Sequence, residues 1–291
     1  MILSGLETVA IVQADDTDFS DTIWLNLVSD EGEYKSEYST VKDYVGQFYN
    51  LYKKHEFSFK CIDSEKFYKL QSLADNNTSV VLFGYGIKGA VVWRESSVIT
   101  LKEVKSNKPG EHQMIEVMVS AEGVGLDIQV GVNLLRDTLR TCDYAITSAE
   151  WTITNTAFTA PVDTSNPAFS GKTYKLDDTS SPGTVEIKEF KNHFPVKPGM
   201  KFRVRADTYS ASASIKEILI NEYSSSLQAS TSVATASSSG SVEIDGTVTI
   251  TGTDTTFIKF GLGVVQTTAD IGFFDNLQLS YKSTSEVFQR G

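Results

Sequence analysis

"NHFPVKPGMKFRVRADTYS", residues 192–210, sets a Pro-Gly pair ahead of a run whose side chains alternate. Phe202, Val204 and Ala206 share one parity, while Arg203, Arg205, Asp207 and Tyr209 share the other. A turn signal followed by a period of two is the pattern of a strand with one face buried and one face wet. The pattern recurs on both sides, in "EWTITNTAF", "GTVEIKEF", "SIKEILINEY", "GSVEIDGTVTITG", "TFIKFGLGVV" and "IGFFDNLQLSYK", separated by Gly, Pro, Ser and Thr turns. Short strands at such intervals predict a sandwich or jelly roll over residues 148–291. The Ser/Ala/Thr-rich tract 224–241 resembles a flexible linker in composition. Its place inside the strand series predicts a small-residue strand and loop instead.

Upstream, residues 8–135 also alternate in short runs such as "ETVAIVQ", "HEFSFKCI", "SVVLFGYGI" and "QMIEVMVSAE", and the whole chain is expected to be mainly β. One segment breaks the period. In "IDSEKFYKLQSLADNN" the residues Phe67, Leu70 and Leu73 fall three apart, with Tyr68 extending that face. Asp63 or Ser64 is placed to cap this segment and Asn76-Asn77 to end it, which predicts one helix packed on a sheet. Between residues 30 and 54 the tract "DEGEYKSEYSTVKDYVGQFYNLYKK" is polar and rich in tyrosine, and it is too long for a tight turn. It is either an extended hairpin arm that reaches a neighbouring subunit, with Tyr38, Tyr44 and Tyr49 as anchors, or a surface loop folded on itself. The strand pattern lapses again at residues 136–150, so two domains are expected, residues 1–147 and 148–291.

Composition excludes several classes. The chain has 291 residues and a formal charge of −11, which argues against a protein that grips nucleic acid by neutralising phosphates. The excess is concentrated early: residues 1–50 hold ten Asp and Glu against Lys35 and Lys42. The first residues lack the basic and apolar regions of a secretory signal, so no export by that route is expected. The apolar stretch 79–93 is interrupted by Ser79, Gly84, Gly86, Lys88 and Gly89, so no membrane insertion is expected. Cys61 and Cys142 lie in apolar contexts and read as buried free thiols.

Nothing in the chain reads as an enzyme. His55, His112 and His193 show no metal-ligand spacing with one another or with the cysteines. The glycines of "GYGIKG", residues 84–89, lie between two apolar runs and read as a strand turn rather than a phosphate cradle. The adjacent carboxylates Asp15-Asp16 and Asp177-Asp178 read as solvated turns.

Two resemblances follow from these stretches. Residues 151–282 resemble the jelly-roll, galactose-binding-like carbohydrate-binding modules appended to xylanases and cellulases. The likeness runs in order through "EWTITNTAF", "NPAFSGKTYKL", "FPVKPGMKFRVRADTYS" and "IGFFDNLQLSYK". That resemblance implies a structural calcium near Asn155 and Asp275, with Asn276 standing where the family carries a second acid. It also implies a host-surface glycan as partner, held by flat aromatic faces rimmed with polar groups. Tyr209 and Tyr223, with Asn221 and Glu222, are the candidates.

The first half is similar to the tail-tube fold of long-tailed bacteriophages, through "FSFKCIDSEKFYKLQSLADNN" followed by "SVVLFGYG" and the long arm before them. This resemblance implies a structural virion protein, made in the host cytoplasm without a signal peptide. It would form hexameric homo-oligomeric rings stacked into a tail tube with other virion proteins, its jelly roll displayed outward and DNA only a passing cargo. An acidic lining would let the DNA slide, because basic walls would hold its phosphates. The rival readings are a carbohydrate-binding adhesion protein outside any virion, and a tube subunit of a contractile injection system.

Overall fold

The computed structural model describes the chain except residues 1, 4–5, 28–31, 87–89, 94–98, 107–114, 124–127, 132, 136, 143–150, 155–156, 163–168, 170, 179–182, 189–192, 212, 238, 266–269 and 283–291. The chain is mainly β and divides into two compact units, Met1–Val132 and Asn133–Gly291. The division falls after Val132 rather than at 147/148 because residues 133–142 are tied to the last strand of the second unit. The Asn133 side chain donates to Leu277 O and accepts from Leu279 N, and Leu134 N donates to Leu279 O at 2.7 Å.

The first unit contains β1 (Ile2–Leu3), β2 (Leu6–Gln13), β3 (Ile23–Asn26), β4 (Gly32–Lys42), β5 (Phe48–Cys61), α1 (Phe67–Asp75), β6 (Val80–Gly86), β7 (Ala90–Trp93), β8 (Ile99–Ser106), β9 (Ile115–Gly123) and β10 (Ile128–Gly131). They form two antiparallel sheets, ordered β1-β4-β5-β9-β8 and β10-β7-β6-β2-β3. Alternate residues from both sheets meet in one core: Val9, Ile11 and Leu25 from one, Phe57, Phe59, Val117 and Val119 from the other. Leu70 and Leu73 of α1 close this core. Tyr68 does not extend the buried face; it is 82% exposed, because a helix turns 100° between Phe67 and Tyr68. Asp63 does not cap the helix either. Its carboxylate accepts from Asn26 Nδ2 at 3.1 Å and pairs with Lys66 at 3.3 Å.

Within the tract 30–54, the described residues from Gly32 onward form an antiparallel hairpin. β4 pairs with β5 from Glu33↔Ser58 to Lys42↔Phe48, around a turn in which Asp43 accepts from the backbone of Val45 and Gln47. β9 joins β5 only from Lys53 onward. Among the described residues, Ser39–Lys42 and Phe48–Tyr52 therefore pair only with each other.

The second unit contains α2 (Asp137–Arg140) and β11 (Trp151–Thr154), β12 (Ala157–Val162), β13 (Thr173–Asp178), β14 (Gly183–Ile187), β15 (Phe194–Pro195), β16 (Lys201–Ser210), β17 (Ile215–Tyr223), β18 (Leu227–Ala236), β19 (Gly240–Thr249), β20 (Phe257–Val265) and β21 (Asp270–Lys282). Two antiparallel sheets result, β11-β14-β20-β17-β18 with β15 on β20, and β12-β13-β21-β16-β19. This is the jelly-roll sandwich that the strand spacing predicts. Lys197, Pro198, Gly199 and Met200 make the turn into β16: Gly199 has φ +87° and Met200 N donates to Lys197 O at 3.2 Å. Pro followed by a left-handed Gly is the type II arrangement. Phe202, Val204 and Ala206 then point into the core with Ile218, Ile220, Phe260, Leu262 and Leu279. The tract 224–241 supplies β18 and the entry to β19, not a linker. No helix among the described residues is long and apolar enough to cross a membrane.

Candidate binding face of the second unit

The alternation of β16 that buries Phe202, Val204 and Ala206 turns Arg203, Arg205, Asp207 and Tyr209 outward. Antiparallel register aligns them with neighbours on both sides. Tyr209 stands between Phe273 of β21 and Ser241 of β19, and Lys175 of β13 stands beyond Phe273. One row along, Asp207 stands between Asp275 and Glu243. Arg205 then faces Asp245 and Gln278. The Tyr209 and Phe273 rings lie 6.1 Å apart and tilted by 54°.

A cleft of about 260 Å³ opens over the carboxylate row, lined by Phe169, Asp207, Ser241, Glu243, Asp275 and Asn276. β21 is bulged beside it. One residue lies between Arg205 and Asp207, but two lie between their partners Gln278 and Asp275. Asn276 takes up the extra residue at φ +50°, a left-handed conformation that Asn tolerates better than most residues. The bulge folds the Asn276 amide back to donate to Asp207 Oδ2 at 2.7 Å. Beside the cleft, Arg205 pairs with Glu243, and the Arg203 guanidinium holds Asp245 below the usual carboxylate range.

The other predicted residues are on the opposite sheet and are engaged with the protein itself. Glu222 is fully buried, in line with Ile218 and Ile220 on the inward face of β17. It accepts from Gly252 N at 2.9 Å and from Thr255 Oγ1 at 3.0 Å, which folds the turn before β20. Asn221 and Tyr223 point to the other face of β17, where Glu186 gathers them. Asn221 Nδ2 donates to it at 2.6 Å, Tyr223 OH at 2.8 Å, and Lys259 Nζ at 3.2 Å while lying over the Tyr223 ring. Burial, with Glu186 adding to it, raises the Tyr223 phenol above its ordinary range. The ring stacks on Phe257, which His193 covers on a second stacking contact. Glu222 is buried and Asn221 and Tyr223 are half-buried on the sheet opposite the cleft, so of the four predicted ligand residues Tyr209 is the one on the sheet face that carries the cleft.

Asn155 lies outside the described residues. Asp275 lines the cleft, and no group of three or more His, Cys, Asp or Glu among the described residues is placed to hold a metal ion. Asp16, in the acidic stretch near the start of the chain, accepts from Ser20 N and Asp21 N and so folds its own turn. Asp177 pairs with Lys175 at 3.2 Å. Cys61 and Cys142 are buried, Cys142 Sγ donating to Phe274 O at 3.3 Å, and burial pushes the Cys61 thiol up to about 12. Phe273, Asp207 and Glu243 escape a sequence reading because only the cross-strand register brings them to Tyr209.

In the first unit, Tyr38 and Tyr44 stand on the hairpin with Val41 and Val45, all exposed; Tyr44 is fully so. Tyr49 is paired with Val41 in the register. At the hairpin's base, Tyr34 OH meets His55 Nδ1 at 2.7 Å, and its ring stacks on Phe57 at 4.7 Å.

No family model and no curated protein matches the chain. Among solved structures it is similar to TmCBM61 in complex with β-1,4-galactotriose, at 15% identity and TM-score 0.33, covering 52% of this chain and 99% of that one. It is similar to the CBM22-1 xylan-binding domain of Paenibacillus barcinonensis Xyn10C, at 9% identity and TM-score 0.36, covering 50% of this chain and 94% of that one. A third is the enzymatically active domain of tailspike protein 4 of bacteriophage CBA120, at 9% identity and TM-score 0.38; here 52% of this chain matches only 22% of the other.

Proposed function

We propose that the chain is a non-catalytic structural protein whose second unit binds saccharide through the outward face of β16, β19 and β21. The observation that carries this reading is the cleft over Asp207, Glu243 and Asp275, flanked by the Tyr209–Phe273 pair. A pyranose ring has apolar C–H faces and a rim of hydroxyl donors. Aromatic rings match the faces, and carboxylates, which only accept, match the rim. Affinity electrophoresis of the full chain through gels containing different polysaccharides tests the reading. Retardation by at least one polysaccharide, lost in Tyr209→Ala/Phe273→Ala, supports it; migration unchanged in all of them counts against it.

A second reading concerns the first unit, and the hairpin favours it. We propose that this unit self-associates as a ring-forming tube subunit of a virion tail, with the hairpin as its arm. Four of the large apolar side chains exposed among the described residues, Tyr38, Val41, Tyr44 and Val45, fall within eight residues of that hairpin. An arm that pairs only with itself adds nothing to its own core, and such apolar area becomes useful once a second copy covers it. A tube subunit of an injection apparatus has the same requirement, whereas an adhesion protein does not need the arm. Sedimentation velocity separates these: rings or polymers support self-association, and a monomer across the accessible concentration range contradicts it.

A further inference from the structure

Hydrogen bonds separate one carboxylate of the cleft from its neighbours. Glu243 is paired with Arg205. Asp275 Oδ1 accepts from Asn276 N at 2.7 Å. Asp207 Oδ2 accepts from the Asn276 side-chain amide, also at 2.7 Å, and among the described residues nothing donates to Asp207 Oδ1. Asn276 therefore holds two carboxylates that the register sets opposite each other on β16 and β21, one through its main chain and one through its side chain. It does so from the bulge of β21, where it is exposed and left-handed. A bulge beside a cleft is a recurrent way of re-aiming a side chain.

Resting on the reading of this face as a saccharide site, we infer that Asp207 determines which sugar the cleft accepts, by taking a ring hydroxyl at Oδ1, and that Asn276 is a positioning residue acting through it. The two kinds of contact on this face differ in what they discriminate. The Tyr209–Phe273 pair meets the C–H face of a pyranose, and that contact depends little on which way each hydroxyl stands. A hydrogen bond is directional, so an acceptor fixed in place takes only a hydroxyl that points to it. Without the Asn276 amide the Asp207 carboxylate turns more freely, and its acceptor is no longer preorganised. The aromatics go on holding the ring, while the choice between epimers is lost.

Titration calorimetry of the full chain with β-1,4-linked hexaoses of glucose, galactose and xylose tests this, in the parent and in Asp207→Ala, Asn276→Gly, Asn276→Asp and Asp207→Ala/Asn276→Gly. Glycine keeps the left-handed backbone and removes the amide; aspartate also tolerates that backbone but brings no N–H. The parent should prefer one hexaose over another by about tenfold, and Asp207→Ala should narrow that preference to about twofold. Both Asn276 variants should narrow it part of the way. The double variant should bind no worse than Asp207→Ala alone, because the two residues act as one unit. Equal affinities in the parent, or a preference that survives Asp207→Ala, overturn the inference, and the saccharide reading stands if Tyr209→Ala/Phe273→Ala still weakens binding. Losses that add in the double variant, or an Asn276→Gly that lowers the melting temperature with the preference intact, overturn the positioning role. If no hexaose binds, the inference falls, and the saccharide reading falls with it unless a polysaccharide still retards the chain.

Discussion

Phe273 stands directly opposite Tyr209 across β21 and β16, and the two rings, 6.1 Å apart, form a tilted pair on the solvent side of the sheet. Their neighbours in the chain, Phe274 and Thr208, face inward and are buried. The pair thus adds to the face of the sheet while the core rests on the other parity. Alanine at either position should weaken saccharide binding by about 1 kcal/mol, some fivefold, with little change in melting temperature. Tyr223→Ala should behave in the opposite way, because it strips a donor and a ring from the Glu186 network: binding kept, stability reduced by about 2 kcal/mol. Calorimetry and thermal melts on the three variants check both halves of this expectation.

Glu222 is a carboxylate with no solvent exposure that accepts from two strands' connecting turn. Replacing it with alanine leaves Gly252 N and the Thr255 hydroxyl without their acceptor and opens a cavity. The expected cost is about 3 kcal/mol, read by urea denaturation at constant m-value. A change under half of that would show that water substitutes for the carboxylate.

His193 is buried between Ile187 O and the Phe257 ring, and burial followed by the charge of Lys259 lowers its pKa to about 3. The sign follows from linkage. The unfolded chain protonates this histidine near pH 6.5 while the folded chain does not, so its contribution is complete above pH 6.5 and is lost as pH falls toward 3. Between pH 7 and 5 the loss should reach about 2 kcal/mol, before most carboxylates titrate. His193→Phe, which keeps a ring on Phe257, should flatten the stability curve in that window. Parallel curves for parent and variant would contradict the assignment. His55 is shifted the same way, first by burial and then by Lys53, and adds to the slope.

The hairpin can be shortened without touching the sheet it grows from. β9 pairs with β5 from Lys53, and Tyr34 packs on Phe57 below that point. Joining Tyr38 to Lys53, which face each other in the register, through Asn-Gly should therefore leave a cooperative thermal transition within a few degrees of the parent's. If the arm joins copies of the chain, sedimentation of the shortened protein should show monomer only. Assemblies of unchanged size would remove the arm from that role.

How far the sequence could be read depended on whether an interaction was local. The Pro198-Gly199 turn and the alternation after it lie within one segment, and both appear in the structure as read. Helix α1 was legible for the same reason, although Tyr68 was put on the wrong side of it. Glu222 carried a usable signal, since it shares its parity with Ile218 and Ile220, yet a charged residue near the end of a strand reads as exposed when taken by composition. The row of Asp207, Glu243 and Asp275 had no such signal. Its members are far apart in the chain, and the bulge at Asn276 shifts the parity of β21 in mid-strand, so that Asp275 and Gln278 both face outward. The boundary between the units was missed because the side chain of Asn133 stands in for a strand partner at Leu277 and Leu279.

The central claim, that the outward face of β16, β19 and β21 is where the chain meets a saccharide, is tested most directly by backbone amide chemical-shift perturbation on the full chain during titration with an oligosaccharide that retards it in a gel. The shifts should be confined to the amides of Asp207, Tyr209, Ser241, Glu243, Phe273, Asp275 and Asn276, and should saturate with a single dissociation constant. Shifts centred on Glu186, Asn221 and Tyr223 of the opposite sheet, with that face unmoved, would contradict it.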